Sequence, residues 1–183
     1  LSVYFLEDYR VTLSELLMPA SDISEQISLA GTEASGTGNM KLMLNGAITL
    51  GTLDGANIEI KDAVGDENII IFGMKTEEVN DLKRTGYNPE SYYESNPVIK
   101  NCIDRMYHGI NGCNFNEVAN SLKNSDPYMV LADFDSYRKA QAYSSECYKD
   151  SKKWTQMSLN NIAGAGIFSA DRAVTEYAKD IWG

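Results

Sequence analysis

The sequence predicts an α/β fold, because short apolar runs of strand type alternate with segments that favour helices. Residues 3–9 (VYFLEDY), 48–53 (ITLGTL) and 69–72 (IIIF) are rich in β-branched or aromatic side chains. The run at 69–72 is apolar throughout, which is typical of a parallel strand buried on both faces. A chain of 183 residues is also long enough for one domain with a substantial core.

Capping and helix-stop residues define several of the predicted helices. Pro19 ends the first helix, and Ser21-Asp22 is interpreted as the N-cap of a second helix that reaches Leu29. Thr76 is interpreted as the N-cap of the helix that follows the last strand. The predicted helices cover residues 13–18, 22–29, 40–44, 77–84, 97–108, 114–123, 133–149 and 151–163, and a final helix begins at Ser169.

The stretch around which the chain is organised is residues 31–57 (GTEASGTGNMKLMLNGAITLGTLDGAN). Residues 31–39 are almost all small, so the backbone can approach a ligand closely and adopt positive φ. The helix at 40–44 follows at once, which places unpaired N–H groups at the positive end of its dipole. Lys41 lies near the first turn of this helix. The pattern predicts a phosphate site with a lysine amine beside it.

Two common phosphate motifs do not fit this stretch. A P-loop requires Gly-Lys-Ser/Thr, but Asn39 and Met40 separate Gly38 from Lys41. The dinucleotide fingerprint requires a third glycine, where Lys41 stands, and a strand immediately upstream, where residues 24–30 are interpreted as helix. A lysine beside a phosphate cradle remains, as expected of a pyridoxal phosphate Schiff base. From the residues alone, a glycine-rich turn with a solvated lysine is the simpler interpretation.

Composition excludes several classes of partner. The net charge of −10 argues against nucleic acid and against anionic membranes, since both require basic faces. The three cysteines lack metal-site spacing, and their odd number suits a reducing cytosol. No run approaches the ~20 apolar residues of a membrane span, and the first residues carry no signal-peptide pattern. We therefore expect a cytoplasmic protein without a metal site, nucleic-acid partner or membrane anchor.

Other polar residues have ordinary structural interpretations. Tyr9 and Arg10 lie at the C-terminal end of the strand predicted at 3–9, and ligands collect at the carboxyl ends of strands in α/β sheets. Taken alone, however, Arg10 is best explained as an ion-pair residue and Tyr9 as a packing residue. Asp54 and Glu59 could suggest paired catalytic carboxylates, but Asp-Gly is ordinary turn chemistry, and neither receives a catalytic role.

The segment EASGTGNMKLMLNGAITLGTLDGAN resembles, nearly residue for residue, the pyridoxal phosphate segment of the α-glucan phosphorylases (glycogen, starch and maltodextrin phosphorylases). The similarity extends through VYFLEDYRVTLSELLMPASDISEQIS before it and NIAGAGIFSADRAVTEYAKDIWG near the end, and so covers essentially the whole chain. Leu42 departs from the phenylalanine common in the family, which is an apolar exchange. Phosphorylases are several times longer, so residues 1–183 are interpreted as the latter part of their C-terminal domain, without the N-terminal domain.

This resemblance implies a three-layer α/β/α fold with a mostly parallel, Rossmann-like sheet, as in the C-terminal domain of two-domain glycosyltransferases. The last helix of such enzymes crosses back to the N-terminal domain. The apolar stripe of Val174, Tyr177, Ala178 and Ile181 then awaits a partner. An ordinary amphipathic helix packed on its own domain explains the stripe equally well.

The resemblance also implies an activity. It implies a cytoplasmic enzyme of an allosteric family, homodimeric when full length, that cleaves α-1,4-glucan with inorganic phosphate to glucose 1-phosphate, with retention, using pyridoxal phosphate. By the match of positions, Lys41 holds the cofactor and, with Arg10 on the substrate phosphate, forms the catalytic pair. The remaining matched positions are Gly36, Thr37, Gly38 and Tyr9 for the cofactor, and Glu33, Ser35, Gly36 and Arg10 for the substrates.

Two other classes of function stay open at this stage. One is a non-catalytic phosphate- or nucleotide-binding module in which Lys41 only pairs with an anion. The other is a structural or glucan-tethering domain that has lost the cofactor. We also expect residues 1–183 alone to be inactive, because the family builds its site in a cleft between two domains.

Overall fold

The computed structural model describes residues 2–183 and contains a three-stranded parallel sheet with helices on both faces. The strands are β1 (Ile23–Gln26), β2 (Ile48–Thr52) and β3 (Ile70–Phe72), in the spatial order β1-β2-β3. Ile23 is in register with Ile48. The predicted α/β class with a parallel sheet is confirmed.

Helices connect and flank these strands. Parallel neighbours cannot be joined by a tight hairpin, so one helix links β1 to β2 and another links β2 to β3. The helices are α1 (Val11–Leu17), α2 (Gly38–Leu44), α3 (Asn57–Val64), α4 (Thr76–Thr85), α5 (Pro89–Ser95), α6 (Pro97–His108), α7 (Asn116–Asn124), α8 (Val130–Lys149), α9 (Ser151–Gly164) and α10 (Ala170–Tyr177). Within residues 2–183, none of them combines the length and apolar character needed to cross a membrane.

The sheet separates two apolar cores, because successive side chains of a strand point to opposite faces. Ile70 and Phe72 belong to the core formed with α8 and α9, which contribute Cys147 and Trp154 among others. The neighbouring Ile69 belongs to the opposite core, which contains Met43 of α2, Ile60 of α3 and Ala165. The result is the expected three-layer α/β/α arrangement around a small sheet.

A helical region formed by α5, α6 and α7 packs against α8. Ile99 and Ile103 of α6 form a buried cluster with Ala119 of α7 and Leu131 of α8. The helices predicted at 97–108, 114–123, 133–149 and 151–163 are confirmed, with their ends moved by up to three residues. Helices α3 and α5 are not among those predicted from the sequence.

The helix predicted over residues 22–29 is wrong, because this segment contains strand β1. Glu25 and Gln26 favour a helix in isolation, but the backbone of β1 pairs with β2 along its whole length. Tertiary pairing therefore overrides the local preference. A strand does precede the glycine-rich loop, so only the lysine in place of the third glycine argues against the dinucleotide fingerprint.

The strand predicted over residues 3–9 is also wrong. This segment is irregular, and Val3, Tyr4 and Phe5 are more than four-fifths exposed. A strand requires a neighbour to pair its backbone groups, and in the described structure residues 3–9 pair with no other strand. β-Propensity without a partner does not make a strand.

Two further helix boundaries were predicted. Thr76 is not an N-cap but the first residue of α4, and the N-cap residue Lys75 donates its backbone N–H to the Glu78 carboxylate (2.8 Å). The last helix begins one residue after the predicted start, with Ser169 at its N-cap. In the part of the chain that the structure describes, Val174 and Ile181 of its apolar stripe are 54% and 69% exposed.

Candidate functional site

The backbone of the glycine-rich loop is held in place by one carboxylate, that of Asp54, which follows β2. Asp54 accepts hydrogen bonds from the backbone N–H groups of Gly31 (2.9 Å), Thr32 (3.3 Å) and Glu33 (2.9 Å), and from the Ser28 hydroxyl (2.9 Å). The loop that follows β1 is therefore fixed to the end of the adjacent strand. Parallel strands present their carboxyl ends at one edge, which makes this contact possible.

The charge of Asp54 is stabilised by the same contacts. Burial by itself raises the pKa of this carboxyl, but hydrogen bonds from Glu33, Gly31, Ser28 and Thr32 outweigh burial, and the pKa lies below its ordinary value. Asp54 is thus an ionised, nearly buried anchor at neutral pH. The backbone N–H groups of Gly31, Thr32 and Glu33 donate to Asp54, so they are not free to bind a ligand.

Close backbone approach completes the attachment of the loop to the turn after β2. Ala56 donates its backbone N–H to the carbonyl of Ser35 (2.7 Å). Gly55 lies between the two anchoring residues with φ +50, and a Cβ there would collide with the Ser35 backbone. A glycine is therefore required at this position both for its positive φ and for the close approach.

A buried pair of asparagines ties α2 to α3. The Asn39 amide donates to Asn57 Oδ1 (3.0 Å), and the Asn57 amide donates to the carbonyl of Thr52 at the end of β2 (2.9 Å). Both side chains are almost fully buried. Since buried amides are costly unless paired, this chain of hydrogen bonds sets the position of the start of α2 relative to the sheet.

The first turn of α2 presents free donors beside a free amine. In residues 2–183 the backbone N–H groups of Gly38 and Asn39 donate to no acceptor, as expected at a helix start. Thr37 at the N-cap and Lys41 are four positions apart, so both lie on one face of the helix. The Lys41 side chain is exposed and, among the described residues, forms no ion pair. This arrangement can bind a phosphate group and present an amine next to it.

The loop and α2 bring together most of the residues predicted for the site. The side chains of Glu33, Ser35 and Thr37 are exposed on the loop, and Gly36 adopts φ +85 immediately before the helix. Together with Gly38 and Lys41 they form one surface of the candidate site, here called the wall, which the hydrogen bonds described above hold in place. The prediction that a loop of small residues leads directly into a helix that carries Lys41 is confirmed.

Tyr9 and Arg10 are not part of this wall. Arg10 forms an ion pair with Asp8, its neighbour two residues away, and both side chains are 67% exposed. Tyr9 is 56% exposed. No hydrogen bond or ion pair within residues 2–183 connects either side chain to the loop or to Lys41.

Comparison with known proteins decides the family. A family profile described as carbohydrate phosphorylase matches residues 1–183. The chain belongs to the carbohydrate phosphorylase family. It is 48% identical over 188 residues to the brain form of glycogen phosphorylase from Homo sapiens and 50% identical over 188 residues to the brain form from Bos taurus. It is 49% identical over 187 residues to the muscle form from Mus musculus.

These alignments include the whole of this chain but only part of each relative. They cover 100% of the chain and 22% of each of the three phosphorylases. The chain therefore spans about a fifth of the length of the relatives that it matches. The family assignment therefore applies to the portion of a phosphorylase that this chain represents, which contains the glycine-rich loop, α2 and the sheet.

Sequence reasoning missed the two residues that organise the phosphorylase loop, Asp54 and Asn57. The sequence pattern indicates only turn chemistry at Asp54 and gives Asn57 no role. The hydrogen-bond partners of Asp54, and the Asn39 partner of Asn57, lie 18 to 26 residues away along the chain. Asn57 also donates to the carbonyl of Thr52. A signal did exist, since Asp54 follows a predicted strand, but assigning helix to residues 22–29 concealed that the loop also follows a strand.

Proposed function

We propose that this chain is the latter part of the C-terminal, pyridoxal-phosphate-binding domain of an α-1,4-glucan phosphorylase. The complete enzyme cleaves terminal α-1,4-glucosyl units with inorganic phosphate, releases glucose 1-phosphate, and works as a cytoplasmic homodimer. The observation that carries the proposal is the hydrogen-bonded loop, which leaves free amides at the start of α2, in the same helical turn as the unpaired Lys41. Membership of the carbohydrate phosphorylase family supports it.

The residues present fit pyridoxal phosphate at its two points of attachment. The exposed Lys41 amine would hold the cofactor at its aldehyde carbon, and the free amides of Gly38 and Asn39 would hold its phosphate. The amides of residues 31–33 are already bonded to Asp54, which confines phosphate binding to the helix start. The Thr37 hydroxyl, at the N-cap, adds a donor that forms no cap hydrogen bond of its own.

The same wall supplies groups for the sugar. Glu33 is exposed, and its carboxylate accepts hydrogen bonds from glucose hydroxyls, while Ser35 and Gly36 contact the sugar from the loop. When bound, the cofactor supplies a phosphate with a second pKa near ~6, which exchanges a proton with substrate phosphate near neutral pH. Asp54 keeps the loop in one conformation, so these groups are oriented before the sugar arrives.

Arg10 binds the substrate phosphate only after changing partner. Its planar guanidinium grips two phosphate oxygens as readily as the Asp8 carboxylate that it holds here. The described residues form one wall, and catalysis requires a water-excluding site with a second wall. We therefore propose that the site is completed by the N-terminal part of the enzyme, and that residues 1–183 alone are inactive.

The test is reduction of the natural, longer protein with borohydride followed by peptide mapping. We expect the pyridoxyl group on Lys41 and on no other lysine, because only Lys41 lies four residues past the N-cap of α2. Lys61 is the internal comparison, since it also lies on a helix but pairs with Asp66 (2.7 Å). A label on Lys61 or Lys75 contradicts the proposal.

Residues 1–183 alone are the matched control for this experiment. They contain Lys41 and the braced loop but lack the second wall, so we expect little label and no glucose 1-phosphate from glucan and phosphate. Turnover comparable to that of the longer protein contradicts the account of the second wall. A longer protein without any trapped cofactor favours instead an anion-binding module or a glucan-tethering domain.

A further inference from the structure

A separate cavity of about 170 Å³ lies between the chain that follows β1 and the first turns of α8. Ile27 and Leu29 line it, whereas Ser28 between them donates to Asp54 instead. The cavity is therefore distinct from the loop that carries Lys41. Its other lining residues are Phe72, Tyr128, Val130, Asp133, Phe134 and Tyr137, so four of its eight lining side chains are aromatic rings.

One charged side chain, Asp133, lines this otherwise apolar cavity. It is only 8% exposed. Its Oδ1 accepts the backbone N–H of Met74 (2.8 Å), while Oδ2 accepts no hydrogen bond from residues 2–183. No lysine or arginine in the described chain forms an ion pair with it. One carboxylate oxygen therefore remains without a partner.

The start of α8 does not satisfy this oxygen either. Asp126 already accepts the backbone N–H groups of Val130 (3.0 Å) and Leu131 (2.8 Å) at that helix end. The backbone N–H of Gly73, next to Asp133, donates to the Ser136 hydroxyl (2.9 Å). The nearby donors are thus committed to other acceptors.

The electrostatic state of Asp133 is unfavourable without a cation. Burial raises the pKa of this carboxyl, the Met74 hydrogen bond opposes the rise only in part, and the charges of Glu78 and Asp126 raise the pKa further. A largely buried carboxylate with no protein partner for one of its oxygens is stabilised by a positive group beside it. The chain's net charge of −10 also raises the local concentration of cations.

We propose that this cavity binds a small organic ammonium ion, with its ammonium group on Asp133 Oδ2 and its apolar body among the aromatic rings. Cations are attracted to the faces of aromatic rings, and Tyr128, Phe134 and Tyr137 line the same cavity as the carboxylate. A divalent metal would require several oxygen ligands, and the lining contains one carboxylate. The volume is below the ~300–1,000 Å³ of pockets for drug-sized molecules, so the ligand is of fragment size.

The proposal is tested with two probes of matched shape, 2-phenylethylammonium and 2-phenylethanol, titrated into the protein and followed by NMR. We expect the ammonium probe to bind at least about tenfold more tightly, because only it pairs with the carboxylate. Asp133→Asn keeps an acceptor for Met74 but removes the charge, and should abolish this preference. Asp135→Asn removes the same charge from an exposed position on α8 and should preserve the preference.

Location is tested on the unaltered protein, so the outcome does not depend on whether a variant folds. Intermolecular NOEs between the probe ring and Phe72 or Tyr137 are the expected result. Equal affinity for the two probes overturns the proposal. NOEs only to residues elsewhere, or an ammonium preference that a folded Asp133→Asn variant retains, also overturn it.

Discussion

The two parts of the proposed phosphorylase site differ in how firmly the chain holds them. Residues 31–38 are bonded to a nearly buried carboxylate, Asp54, and to the backbone of Ala56. Apart from the contact of Asp8 with Arg10 two residues away, residues 2–9 form no hydrogen bond with the rest of the described chain. The loop on one side of the proposed site is therefore held in position by the chain, whereas the segment that carries Arg10 is not.

This difference shows which interactions hold binding groups in position before a ligand arrives. The loop is held in place because its partners, Asp54 and Ala56, directly follow the adjacent strand β2, which this chain contains. Residues 3–9 have strand-forming side chains, but no neighbouring strand pairs with them in the described structure. Binding groups on a loop are therefore oriented by the scaffold behind them rather than by the composition of the loop.

The largest effect is expected from Asp54→Ala. The substitution removes the acceptor of four hydrogen bonds and leaves three backbone amides near the sheet without partners. We expect the free energy of unfolding to fall by about 3 kcal/mol, measured by urea denaturation. Asp62→Ala, an exposed carboxylate on α3, is the control and should change it by less than ~0.5 kcal/mol. Similar losses in both variants contradict the anchoring role.

Gly55→Ala should have the next largest effect. The residue adopts φ +50, and the new Cβ would meet the Ser35 backbone and Glu33 Cγ (2.9 Å). We expect a loss of about 2 kcal/mol in the free energy of unfolding, from thermal or urea denaturation. Gly38→Ala is the matched control, since no atom lies within 4 Å of its Cβ position, and it should be neutral or slightly stabilising. A neutral Gly55→Ala shows that the loop is not closely attached.

Acidification should weaken the loop by a smaller amount. Because the pKa of Asp54 is lowered in the folded protein, its stabilising contribution is complete above the unfolded value near ~3.9 and is lost as the pH falls toward the folded value. The difference in unfolding free energy between wild type and Asp54→Asn should therefore shrink below about pH 4. A difference that stays constant from pH 7 to pH 3 would assign the stabilisation to some other group.

The smallest effect is expected from Arg10→Ala. An ion pair as exposed as that of Arg10 with Asp8 contributes little, so the free energy of unfolding should change by less than ~0.5 kcal/mol. The NMR shifts of residues 31–38 should not move. Clear shifts in that loop would mean that residues 2–10 already contact it, and the contrast between the two parts of the site would disappear.

Local patterns in the sequence determined much of this protein. The apolar run 69–72 indicated β3, and the small residues before Lys41 indicated the loop and the helix start. Helices α6 to α9 followed from the helix-breaking and capping residues that separate them. These features depend on interactions within a few residues, such as capping and backbone propensity, so the sequence of the segment is sufficient to predict them.

The tertiary structure alone decided the rest. β1 is a strand only because β2 lies beside it, and residues 3–9 are irregular because no neighbour pairs with them. Asp54 became the anchor of the loop through amides more than twenty residues away. Hydrogen bonds over such separations depend on which strands become adjacent, and that adjacency results from packing of the whole chain rather than from the residues that form the bonds.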